Sequence, residues 1–465
     1  MSFWVYDLIF LVVFSLFVII FLYKRKKNLQ REGILYLYRT KVGLKIIDYV
    51  GRKYKRTLMI LNYLSILTGY ILMFSMIYLL GKMVYIFLTV PDFIRAVKIP
   101  PLMPLIPYFP SLFKVDFLPP FYFAYWIIAI AIIAVSHEFS HGIFARFHNI
   151  KVRSTGFGFL GPFLAAFVEP DEKQMNKAKI GKQLGILTAG SFANVIMTIL
   201  FILIFWLFFI VAFVPAGVMI NSYASSLVPV EDINSIGNES IIINFNGELN
   251  LTEIYTTNGK YYLMSSLVNE INKYELVEAF DDAPAIKAGV VGVIIEIDGK
   301  MIKQDKDLKQ VLSEKKPGDI VKIKTQLDGE ESINEYEIEL GKRPDNPELP
   351  FLGISPIKTT GGMLREIRDS LIFFKDPYTY YKPRISEDLI LFIYNLLWWI
   401  IIINLSVALV NMLPVGMFDG GRVFYLTCLA IFKKEKIAKI FFRLATYLIL
   451  LAFLLLMFSW FLAIF

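Results

Sequence analysis

One cysteine, Cys428, stands in 465 residues. It excludes an intrachain disulfide and a sulfur-rich metal cluster, and says nothing about compartment. No zinc knuckle or other nucleic-acid module is present, so the formal charge of +8 points to basic loops beside a membrane and not to a nucleic-acid partner. Residues 1–23 lack a basic leader and a small-residue cleavage site, and the basic residues follow the apolar run. They read as a retained anchor, not a cleaved signal peptide. Apolar residues are what the chain has in excess. They make up 56% of it, with 41 phenylalanines and a mean hydropathy of +0.57, more than a soluble fold can hide. The expected class is a polytopic α-helical membrane protein in a lipid bilayer, with about six transmembrane segments.

Trp4–Tyr23 is the first expected span. Lys24, Arg25, Lys26 and Lys27 follow it, and further basic residues run to Arg56. Such a loop belongs on the cytoplasmic side, which puts the N-terminus outside; a plain solvated charge run is the blander reading. Leu58–Val90 crosses back. Pro91–Pro120 holds IPPLMPLIPYFP, too rich in proline for a helix and too apolar for a solvated linker. It lies over the helical bundle at the outer interface or is a rigid connector. The third span starts near Phe121. Gly156–Glu172, with Gly156, Gly158, Gly161 and Pro162, is apolar but poorly suited to a spanning helix. Non-helical backbone there must be buried or line a cavity, as a short hairpin beside the site or a gating loop. Leu184–Val214, Leu389–Val410 and Ile440–Ala463 complete the spans and leave the C-terminus outside.

From Pro215 to about Pro383 the long apolar runs stop, and parity places this soluble insert outside the cytoplasm. APAIKAG at Ala283–Gly289 opens a short helix, VVGVIIEIDGKMI gives strand, Asp298–Gly299 turn and strand, and DIVKIKTQL and YEIEL read as strands. Such a strand–helix mixture can bind an extended peptide at a sheet edge. The resulting division is 1–120, two spans with a basic loop and a Pro-rich loop; 121–215, first part of the membrane core; 216–345, soluble domain; 346–384, linker; and 385–465, second part of the membrane core.

The chemistry sits in AIIAVSHEFSHGIFAR, Ala131–Arg146. HExxH on a helix stacks His137 and His141 on one face. Both imidazoles can then reach one metal ion, with Glu138 beside the water it holds. Two polar helix contacts without metal are the plainer alternative, but ionisable groups at membrane depth are costly and point to function. His148 lies about 10.5 Å further along the helix, better placed at the membrane edge than as a third ligand. A ligand must come from elsewhere. NMLPVGMFDGG, Asn411–Gly421, ends the fifth span in a broken helix. The third and fifth spans run parallel, each with its motif toward the cytoplasmic end, so Asp419 is the best third ligand; an isolated capping carboxylate is the alternative. In GILTAGSFANV the small residues Ala189, Gly190, Ser191 and Ala193 permit close helix packing. Asn194 either donates to a substrate or makes an interhelical hydrogen bond.

These residues resemble the site-2 proteases, intramembrane zinc metalloproteases. HEFSHG matches the family's HExxHG signature, and NMLPVGMFDGG its second signature of Asn, Pro and an Asp–Gly pair. The resemblance implies one zinc ion per site held by His137, His141 and Asp419, Glu138 as catalytic base, and Asn411, Pro414 and Gly420 as substrate-proximal or structural elements. GSFAN puts Asn194 at the family's substrate-contacting Asn, with Ser191 where proline is usual. Lys151–Gly158 and the EPDE ending look like the archaeal and eukaryotic-like branch, implying an archaeal cell membrane, and the insert resembles a PDZ domain. The implied activity is cleavage of transmembrane helices of other proteins, as in regulated intramembrane proteolysis, with a peptide or C-terminus bound by the insert. Two rivals differ in outcome. A zinc or ion transporter tolerates Glu138→Gln, and an inactive PDZ-bearing scaffold binds partners without making new termini.

Overall fold

The computed structural model describes residues 3–32, 35–89, 103, 105–112, 118–160, 163–220, 222–244, 247–327, 332–343, 346–355 and 372–464. Most of the Pro-rich stretch, Gly161 and Pro162, and residues 356–371 of the expected linker lie outside the described residues. The chain forms two compact units, Met1–Leu207 with Leu391–Phe465, and Phe208–Ile390.

The first unit is built from helices α1 (Phe3–Lys24), α2 (Leu44–Lys53), α3 (Lys55–Thr89), α4 (Phe123–Phe147), α5 (Ile180–Ala212), α6 (Glu387–Asn411), α7 (Asp419–Phe432) and α8 (Glu435–Ile464). Among the described residues six helices, all but α2 and α7, are long and apolar enough to cross a membrane. The break between α6 and α7 falls where Pro414 and Gly416 end the helical pattern. Strands β1 (Leu29–Glu32), β2 (Leu35–Thr40), β3 (Val152–Leu160) and β4 (Phe163–Pro170) pair antiparallel in that order. The β3–β4 hairpin is the Gly-rich segment. The basic stretch before Arg56 is more than a solvated charge run, because it supplies β1, β2 and α2. β1 pairs with β2 locally, but the other partner of β2 lies over a hundred residues away, as in Tyr38 opposite Phe157, which local pattern cannot reveal.

α2 is amphipathic, and its Ile47 is fully buried against α4 at Gly142, where an added Cβ would come within 2.9 Å of Ile47 Cδ1. Beside it Arg146 of α4 forks onto both carboxylate oxygens of Asp48. That hydrogen bond holds the Asp48 carboxyl below its ordinary 3.8. A depressed folded-state pKa contributes stability that is present above the ordinary value and is lost as pH falls through the folded value. Acidification below about pH 4 is therefore expected to loosen α2. Hydrogen exchange of Leu44–Lys53 against pH should show this in the wild type, and a flat, already weakened response in Asp48→Asn.

Both N-terminal spans are fastened to the helices that follow. Asp7 of α1 is 2% exposed. Its carboxylate accepts from Tyr108 Oη at 2.5 Å, Phe123 N at 2.7 Å and Ala124 N at 2.8 Å. The first N–H groups of a helix have no intrahelical acceptor, and Tyr122 at the α4 N-cap makes no side-chain cap. A carboxylate from another helix does that work. Asp7→Ala leaves both backbone donors orphaned and is expected to destabilise the fold by about 2–6 kcal/mol, read as a lower unfolding midpoint in detergent, with partial recovery in Asp7→Asn. α3 is held by Thr188 of α5 donating to Ser65 at 3.1 Å, and by a 2.6 Å hydroxyl pair of Tyr70 with Thr427 of α7.

In the second unit one antiparallel sheet runs Ile333–Glu339, Ile320–Gln326, Val293–Ile297, Phe213–Met219, Thr379–Pro383, with Lys300–Met301 added to Val293–Ile297. Asp298 and Gly299 turn between two of these strands with φ of 48° and 78°, the left-handed pair a tight hairpin needs. Buried Ile294, Ile297, Val321 and Ile323 form its core. A separate five-stranded sheet, Ser225–Pro229, Leu276–Asp281, Gly259–Met264, Gly247–Thr256, Ile233–Asn244, has a small core of its own around Ile254 and Leu263.

Candidate metal centre

α4 carries His137 and His141 one turn apart, their rings 4.7 Å between centroids and nearly perpendicular at 78°. The two Nε2 atoms lie 3.1 Å from each other. Asp419, the first residue of α7, brings Oδ2 to 3.4 Å from His137 Nε2 and 3.3 Å from His141 Nε2. One donor atom from each residue falls within 4.8 Å of the others.

These separations can be tested against a metal. Donors at zinc-like bond lengths in a tetrahedron stand about 3.3 Å apart, close to the 3.1, 3.3 and 3.4 Å found. The ring nitrogens pointing away from the cluster agree. His141 Nδ1 lies 2.7 Å from the carbonyl oxygen of Ile186, which takes the Nδ1 proton and leaves Nε2 free to ligate. His137 Nδ1 lies 3.1 Å from the amide nitrogen of Asn194, while Asn194 Oδ1 is buried without a partner among the described residues. Amide oxygen and nitrogen exchange places by a half-turn. Turned so, Oδ1 accepts the His137 Nδ1 proton and Nε2 is again free. Two imidazoles and a carboxylate suit a transition metal better than calcium or magnesium, which take oxygen ligands.

Asn194 is fully buried, with its amide on His137 and no surface open to a substrate. Its contact with His137 is an interhelical hydrogen bond from α5 to α4, one of the two roles its sequence allows. Glu138 is half-buried, and its Oε2 accepts the Val168 N–H of β4 at 2.9 Å, which fixes the carboxylate beside the cluster within Coulomb range of His141. β4 is an edge strand. Asn411 ends α6, Pro414 is buried in the turn that follows, and Gly420 lets that turn close on α7. An added Cβ at Gly420 would sit 2.3 Å from the Met412 carbonyl. His148 is away from the cluster, with Nε2 2.8 Å from Asn62 Oδ1. Glu169, Asp171 and Glu172 are not ligands. Glu169 meets Arg39 and Ser154, Asp171 caps the Glu172–Lys177 helix.

Gly190 is the residue whose role sequence reading missed. A Cβ there would lie 2.5 Å from His137 Nε2 and 2.5 Å from His141 Nε2, so the bare backbone of α5 forms one wall of the cluster. The short spacing to Asn194 was the available signal, but helix packing explains a glycine equally well.

The spans around this cluster, its ligand set and its acidic neighbour are those of a membrane metallopeptidase. No curated protein matches the chain. The profile described as peptidase family M50 matches residues 125–328 and 375–457, a span that takes in α4 with both histidines and α7 with Asp419, and more than half of the chain. This chain belongs to peptidase family M50, the site-2 protease-like metalloproteases.

Proposed function

We propose that the protein is an intramembrane zinc endopeptidase that hydrolyses peptide bonds within or near transmembrane helices of other proteins. The observation that carries this is the meeting of His137, His141 and Asp419 within 4.8 Å on helices of an apolar bundle, with a fixed carboxylate alongside.

His137, His141 and Asp419 would hold one zinc ion, which when bound keeps a coordination position open, polarises a carbonyl and acidifies water. Glu138 takes a proton from the attacking water and returns it to the leaving amine. Its bond to the Val168 N–H keeps one oxygen engaged, so the other oxygen faces the reaction. Asn194 acts through His137, holding the tautomer that ligates. Asn411, Pro414 and Gly420 shape the turn that delivers Asp419 and stand near the substrate path. A substrate helix must unwind before attack, because its own hydrogen bonds hold the peptide groups away. The unwound backbone then needs new partners in a dry setting, and the edge of β4, which has no further strand beside it among the described residues, supplies them. The insert is assigned the binding of a peptide end or extended segment. Deleting residues 222–345 should then change the relative cleavage of long and trimmed substrates, and equal ratios would remove this role.

The test is reconstitution of the full chain with candidate membrane-helix substrates and mapping of the product termini. New termini inside the hydrocarbon-spanning segment, lost on chelation and restored by zinc, are the expected result. Rapid cleavage of soluble peptides with membrane helices left intact would overturn it.

A further inference from the structure

Between α7 and α8 lies a cavity of about 430 Å³ bordered by Gly416, Gly421, Arg422, Tyr425, Lys439 and Arg443. No ligand of the metal cluster borders it. Its chemistry is one-sided: three cationic side chains and a phenol surround it, and among the described residues no carboxylate is part of its wall. Glu435 pairs with Lys439 at 2.6 Å along the helix. Arg422 donates to the neutral amide oxygen of Asn176 at 2.5 Å. Among the described residues Arg443 has no carboxylate in ion-pair contact.

Lys439 and Arg443 are four apart on α8, so they share a face, and Glu435 one turn earlier pairs with Lys439 alone. A pair of cations meant only to reach water would spread outward. These two turn to the same concavity as Arg422, which comes from a different helix. Gly416 leaves its part of the wall without a side chain, where an added Cβ would meet only Phe442 Cζ at 3.4 Å, and Phe442 provides an apolar side. Lys439 and Arg443 lie in the first turns of a membrane-spanning helix, the level at which headgroup phosphates lie. Arginine's planar fork matches phosphate oxygens, with lysine adding a point charge.

We propose that this cavity is a phosphate-binding site, holding the anionic headgroup of a phospholipid or a free phosphate through Arg422, Lys439, Arg443 and the Tyr425 hydroxyl. The test uses the purified full chain and three probes, short-chain phosphatidylglycerol, short-chain phosphatidylcholine and inorganic phosphate, with binding followed by native mass spectrometry and calorimetry. Wild type should prefer phosphatidylglycerol to phosphatidylcholine. The double variant Arg443→Gln/Lys439→Gln should weaken phosphatidylglycerol binding by about 20- to 30-fold, about fivefold per charge removed, with an unchanged unfolding midpoint. The pair Arg52→Gln/Lys53→Gln removes the same charge from α2 and should leave binding as in wild type. Displacement of phosphatidylglycerol by inorganic phosphate at similar concentration assigns the site to free phosphate, and failure to displace it assigns the site to lipid; both keep the proposal. Equal phosphatidylglycerol binding by wild type and the α8 double variant, or equal loss in the α2 pair, would overturn it.

Discussion

Glu138→Gln is expected to keep zinc and lose peptide hydrolysis by about 10²- to 10⁴-fold, the range of a general acid–base contribution. Glutamine has the same shape and retains a carbonyl oxygen for the Val168 N–H, so β4 stays against α4. The three ligands are untouched. What disappears is the basicity that removes a proton from the attacking water. Zinc content and cleavage rate, measured on the same reconstituted samples, give the answer directly. Full zinc with turnover lost is the protease outcome. Undiminished cleavage would remove Glu138 from the reaction, and undiminished zinc flux through the protein would favour a transporter.

Gly190→Ala is expected to have the opposite signature, with metal and activity lost together. The added methyl would press on both Nε2 atoms at 2.5 Å, and neither imidazole is free to swing away. His141 is tied to the Ile186 carbonyl and His137 to the Asn194 amide. Disturbing groups that orient ligands typically costs about 10- to 100-fold in metal affinity, and a methyl against the ligating atoms themselves should exceed that. Gly181→Ala, on the same helix with nothing within 4 Å of the added Cβ, is the control and should bind zinc normally. If Gly190→Ala also binds zinc normally, then the ligating nitrogens do not face α5 and the reading of the cluster is wrong.

The legible parts of this molecule were those encoded at short range. His137, Glu138 and His141 are a local pattern on one helix. Asp419 was reachable because counting spans places it at the same depth as the histidines, an argument that needs only the direction of each crossing. The apolar runs marked the spans to within a few residues. Long-range pairing was not legible. β1 and β2 lie in a stretch whose charge dominates any alternation, and β3, the second partner of β2, follows two further spans. Asp7 did carry a signal, a carboxylate inside an apolar run, but nothing in the sequence names the start of α4 as its target. Asn194 was legible as a polar residue with two open roles, because a buried amide has two faces and only the fold shows that one of them meets the imidazole.

The bond from Asp7 to the start of α4 bears on how small a working version of this protease can be. The matched profile begins at residue 125, which invites a shortened version starting at the third crossing. Such a version would take away the carboxylate that accepts from the amides of Phe123 and Ala124. The helix that bears both histidines would fray from that end, so the leading segment must be kept, or supplied in trans as a separate peptide.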